Sequence, residues 1–154
     1  MADIVSQRNI AAYLTSRITA FPATIVAGTG QNATAVVGSS VRRSLIGMPQ
    51  SAALCIGYNA NLAATKTLAF TAIKVQDSAD NITFADFQTF ADPGVVQTGA
   101  GTSMSLLQFP VNLAGARDYV RTSLVPTLSA STVDTVSVMA ALVLSGEDRL
   151  PAAA

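Results

Sequence analysis

Between residues 51 and 62, apolar side chains return at every second position: Ala52, Leu54, Ile56, Tyr58, Ala60 and Leu62 alternate with small or polar residues. A period of two sorts side chains onto the two sides of an extended strand, and a helix has no single face that would collect them. The pattern recurs over 133–145, where Val136, Val138, Ala140, Leu142 and Leu144 share one face. Residues 67–76 carry apolar groups on both faces, Leu68 and Phe70 against Ile73 and Val75. Their parity shifts near Ala72, which predicts a bulge or a doubly buried stretch. Further strands are expected over 82–90, over 104–111 ending near Pro110, and over 117–125, where Pro126 argues against continuation as a central strand. Asp77, Ser78, Asp80 and Asn81 make one turn and Asp92, Pro93 and Gly94 another, and residues 97–102 read as a flexible connection. At least six strands joined by short turns predict an all-β fold, a β-sandwich or jelly-roll-like domain.

The first third is less regular. Asp3 can cap a short helix over 3–18, with Ile10, Leu14 and Ile18 on one face. An extended N-terminal arm that orders on a partner is the alternative. Residues 19–50 are rich in Gly, Ala, Thr and Ser. They can hold short strands near 24–27 and 34–37 around a turn at Gly28, Thr29 and Gly30, or lie as an arm across a neighbour. The expected organisation is a single domain: helix or arm and leading strands over 1–50, a sandwich core over 51–146, and a loose tail over 147–154.

The chain has 154 residues, of which half are hydrophobic and only 12% charged. Ordinary soluble domains carry about 25% charged residues, so part of this surface is expected to be hidden in an assembly. Nine basic and nine acidic side chains cancel, which leaves no overall positive field to hold nucleic acid. No secretory signal is expected from the start MADIVSQRNIAAYL, and the stretch 136–144 is too short to span a bilayer. Synthesis in a cytoplasm, with no membrane partner, is the expectation. The sequons at Asn32 and Asn81 are then read as chance matches.

Chemistry is scarce. The absence of histidine rules out a Ser-His-Asp triad, a Cys-His pair and histidine metal ligands. Cys55 is the single cysteine, so no intrachain disulfide can form, and alternation places it on the face opposite Leu54 and Ile56. No phosphate loop or dinucleotide fingerprint occurs. No cofactor is expected, and an enzyme is not. Asp77, Asp80 and Asp86, beside Asn81, are the best metal candidates, since hard cations take carboxylate oxygens. A turn that bonds only to itself competes with that reading. Seven of the nine bases are arginines, which suit desolvated or bidentate pairing. Arg8, Tyr13, Arg17, the doublet Arg42 and Arg43, and the stripe Arg117, Tyr119 and Arg121 are the candidate interface residues, because arginine and tyrosine are enriched at interfaces.

Several stretches resemble small virion proteins of tailed bacteriophages: GQNATAVVG over 30–38 followed by Arg42 and Arg43, SAALCIGY over 51–58, VQDSADNITF over 75–84, RDYVR over 117–121 with LSASTVD over 128–134, and VLSGEDRLP over 143–151. The resemblance implies a capsid cement (decoration) protein on the shell of a virion made in a host bacterium. It further implies a jelly-roll or β-sandwich fold, a homodimer or homotrimer, the major capsid protein as partner, and no catalytic residues. A tail or head-completion protein and a carbohydrate- or receptor-binding β module are the alternatives. Apolar surface rimmed by arginines, reaching neighbours through residues 1–20 and 21–50, is the expected means of attachment.

Overall fold

The computed structural model describes residues 14–129 and 133–147. Among them are ten strands: β1 (Thr15–Val26), β2 (Val36–Val37), β3 (Val41–Arg42), β4 (Pro49–Leu62), β5 (Thr67–Ser78), β6 (Ala85–Thr89), β7 (Gly94–Thr98), β8 (Gly101–Asn112), β9 (Tyr119–Leu128) and β10 (Thr135–Glu147). One sheet, here sheet A, has the order β1-β10-β4-β8; sheet B runs β2-β9-β5-β6, with β3 also on β9 and β7 also on β5. Every pairing is antiparallel.

The pairs nest. β1 takes β10, β2 and β3 take β9, β4 takes β8, and β5 takes β6 and β7. A long hairpin folded over on itself gives this order, which is the jelly roll. The expected all-β sandwich is therefore the fold. Its core is the inward set of the alternating strands: Leu54, Ile56 and Ala60 of β4 face the sandwich interior with Val136, Val138 and Leu142 of β10, all fully buried. Phe70, Ile73 and Val75 of β5 and Val120 and Leu124 of β9 close it from sheet B. The parity shift is a real bulge, because the β5–β9 register slips between Phe70 and Ala72. That slip lets Phe70 and Ile73 both point inward.

Five expectations need correction. Thr15, Ser16, Arg17 and Ile18 are strand, not helix. The i, i+4 spacing of apolar residues was real, but Ile18 is half exposed, and β10 offers a full ladder of backbone groups that an edge strand satisfies. Residues 1–13, with Arg8 and Tyr13, lie outside the described residues. Residues 15–27 are not an arm: Ala20, Ile25 and Ala27 are core. β9 runs through Pro126 although it is central. The Pro126 carbonyl accepts from the Ala33 amide, so the missing N–H faces the side where β2, which reaches only Leu124, has already ended. β8 likewise continues past Pro110 to Asn112, as an edge strand can. β7 forms where a turn at Gly94 and a flexible connection from residue 97 are expected.

Candidate interaction surface

The outer faces of the two sheets differ in kind. Outward positions of sheet A are set by the same alternation that fills the core. Register aligns Ile18 with Ala141, Ala141 with Cys55, Met139 with Gly57, and Gly57 with Leu106. Cys55 is half-buried on this face, opposite the buried Leu54 and Ile56, as alternation predicts. Across β4, β8 and β10 the only charged residue is Glu147, the last of β10. Met104 and Leu106 are 77% and 60% exposed, and Met139 is 39% exposed. Between them runs a shallow groove of about 510 Å³ with Gly57 in its lining. A Cβ at Gly57 would stand 3.2 Å from the Met139 Cγ, so the glycine lets that methionine lie across the strand. Burying each such side chain is worth about 1.5–3 kcal/mol.

Sheet B spends its charges on itself. Arg42 Nε donates to Asp118 Oδ2 at 2.9 Å and lies 5.6 Å from the Tyr119 ring centre. Ser44 donates to the same carboxylate from its amide and its hydroxyl. Burial opposes ionisation of Asp118, but the bonds from Ser44 and Arg42 outweigh it and hold the carboxyl below its ordinary range. Lys74 and Gln76 both donate to Asp86, and the Lys74 bond leads in lowering that carboxyl. Arg121 donates to Gln76 Oε1 and stacks 3.8 Å from the Phe84 ring centre. Tyr119 and Arg121 do share the outward face of β9, and Arg117 precedes the strand with its side chain about half exposed. Such exposed pairs are worth no more than about 1 kcal/mol each, yet they leave these cations already partnered.

Arg43 is not an interface residue. It is 1% exposed. Its Nη1 donates to the carbonyls of Ala116 and Arg117, and its Nη2 to those of Pro49, at 2.8 Å, and Leu113, at 3.0 Å. Burial pushes its guanidinium down, while Asp118 and Asp77 push it back up. It ties together the approaches to β4 and β9. Of the expected arginine rim, among the described residues only Arg17 stands on sheet A, exposed on β1.

The candidate metal carboxylates face three ways. Asp77 is buried and accepts from the Arg117 amide at 2.8 Å. Asp86 is on β6, held by Lys74 and Gln76. Asp80 caps its own turn, accepting from the amides of Ile82 and Thr83 and from the Ser78 hydroxyl. Among the described residues no three acidic or cysteine side chains come together to hold an ion. The amide bonds from Thr83 and Ile82 lower Asp80 to about 2. A depressed carboxyl contributes stability that is complete above its unfolded value, near 3.8, and is lost as pH falls through about 2. An NMR titration should find the Ile82 and Thr83 amides shifting with a midpoint near 2; a midpoint near 4 would refute the cap.

The residues that reasoning from sequence left out are Ile18, Met104, Leu106 and Met139. The signal for the last three was the near-absence of charge along β4, β8 and β10, which make one surface only once those strands are neighbours.

No described protein family matches the sequence, and no curated protein does. Among the described residues no helix is long and apolar enough to cross a membrane. In fold, the chain is similar to a chain in the structure of infectious bursal disease virus, Gx strain, with TM-score 0.52 and 10% identity over 88% of this chain. The match spans about a third (34%) of that viral chain. A further similarity is to the C-terminal family 22 carbohydrate-binding module of Clostridium thermocellum Xyn10B, with TM-score 0.37 and 11% identity over 89% of this chain and 88% of the module. The first likeness supports the β-sandwich fold.

Proposed function

We propose that this protein is a non-catalytic structural component of a tailed-bacteriophage virion, a capsid cement protein that lays the outer face of sheet A on major capsid subunits. The observation that carries the reading is that apolar face, free of charge along β4 and β8, while Arg42, Lys74 and Arg117 are paired with aspartates on or beside sheet B. A shell that must resist the pressure of packaged DNA gains from apolar area buried at many symmetric joints, where repetition supplies avidity. The jelly roll is a rigid body on which to present such a face. Sequence resemblance to small virion proteins supplies the partner. A carbohydrate-binding reading would want aromatic side chains on this face, and none of its outward positions on β4, β8 or β10 carries one.

The test is cosedimentation of the purified protein with phage shells that lack it. Met139→Asp places a carboxylate in the middle of the face, where desolvation without a partner costs several kcal/mol. Attachment should weaken by about 100-fold or more. Lys74→Ala, on sheet B, should leave it unchanged. Equal attachment by Met139→Asp and the parent protein would refute the assignment of this face.

A further inference from the structure

A sheet edge with unpaired backbone groups is a template for another strand, and proteins ordinarily blunt it. Three of the four edges here are blunted. β2 and β3 are two residues each, and β6 and β7 five. β1 shifts register twice, and the Ser39 amide bonds the Thr19 carbonyl on it. β8 differs. It is twelve residues long, carries no charge, and pairs only with β4.

Parity identifies which of its backbone groups are free. Gln88 donates from its side chain to the Pro110 carbonyl and accepts from the Asn112 amide. Those two residues therefore turn their backbone groups away from β4. Residues of an extended strand alternate, so Thr102, Met104, Leu106 and Gln108 turn theirs the same way. Gln88 occupies the edge at its Pro110 end, and no described residue hydrogen-bonds to the outer backbone groups of these four. Gly101 through Leu106, and Gln108, are exposed.

This free run is symmetric about Ser105. We infer that the protein forms a two-fold homodimer in which β8 pairs antiparallel with β8 of a second copy, with Ser105 on the axis. In that register Thr102 faces Gln108 of the second copy and Met104 faces its Leu106, and each relation is repeated by symmetry. About eight backbone hydrogen bonds form, two for each facing pair. No other register pairs all four free residues with one another. The strand bears no charge to repel its own copy, so the edge is its own complement. The dimer joins two sheets A into one of eight strands and brings Met104 and Leu106 of each copy together on the outer face. It requires nothing of the virion, so its failure would leave the proposed attachment standing.

Two sets of variants test it, in the full chain with Cys55→Ser as background. Opposed residues that share no backbone bonds have Cα atoms about 4.5 Å apart, within disulfide range. Ser105→Cys should therefore oxidise to a covalent dimer. Ser103→Cys, which faces Leu107 of the second copy, should not. Leu106→Pro removes an amide that faces away from β4, as Pro110 already does on this strand, and should turn a dimer into a monomer by sedimentation velocity. A parent protein that stays monomeric at high micromolar concentration, a trimer, or equal crosslinking by both cysteine variants would overturn the inference. So would a dimer that persists in a folded Leu106→Pro variant.

Discussion

Replacing Arg43 by methionine should destabilise the protein by about 3–5 kcal/mol, the largest effect expected of any arginine among the described residues. The side chain is buried and its guanidinium serves four carbonyls, those of Pro49, Leu113, Ala116 and Arg117. Methionine keeps much of the volume and removes every donor. Each buried carbonyl left without a partner costs about 1–3 kcal/mol, and relaxation of the loop ends recovers part of the sum. Small domains are stable by only about 5–15 kcal/mol, so the loss is a large fraction of the whole. Arg43→Lys keeps the charge but not the planar fork and should lose about 2 kcal/mol. Urea unfolding measures both as a fall in midpoint at constant slope. A methionine variant within 1 kcal/mol of the parent would mean that water serves these carbonyls as well as the guanidinium does. The neighbouring Arg42, paired with Asp118 at the surface, should cost less than about 1 kcal/mol on truncation.

Gly38→Ala should cost about 3 kcal/mol, the upper end of what a methyl group costs when forced into a packed region. Gly38 lies between β2 and β3, where the chain crosses from sheet B to touch the edge of sheet A. Its amide donates to the Thr122 carbonyl at 2.8 Å, and the Thr122 hydroxyl donates to that of Thr19 at 2.9 Å. An added Cβ would stand 2.1 Å from the Thr19 carbonyl oxygen and 2.7 Å from its carbon. Neither atom belongs to a flexible side chain, so β1 would have to move away from β9. Gly30→Ala is the control: an added methyl there meets nothing within 4 Å. Thermal unfolding of both variants should separate them clearly. If Gly38→Ala melts with Gly30→Ala, the close approach of β1 to this crossing is wrong.

The sequence by itself determined the strands that alternate and the side each residue takes. Leu54 against Cys55, and Val138 against Met139, were sorted by parity alone, because one buried face is enough to write the pattern. It also determined the bulge near Ala72, since a strand buried inward must slip when its apolar parity slips. The tertiary structure alone decided what needs neighbours distant in the chain. Arg42 and Arg43 are identical in sequence terms, yet one reaches Asp118 at the surface and the other is enclosed by carbonyls from residues 49 and 113–117. Pro126 can sit in a central strand because β2 stops two residues short of it. The near-absence of charge along β4, β8 and β10 was written in the sequence, with Glu147 at the end of β10 the one exception, but strands far apart along the chain become one apolar face, with one open edge, only when backbone pairing sets them side by side.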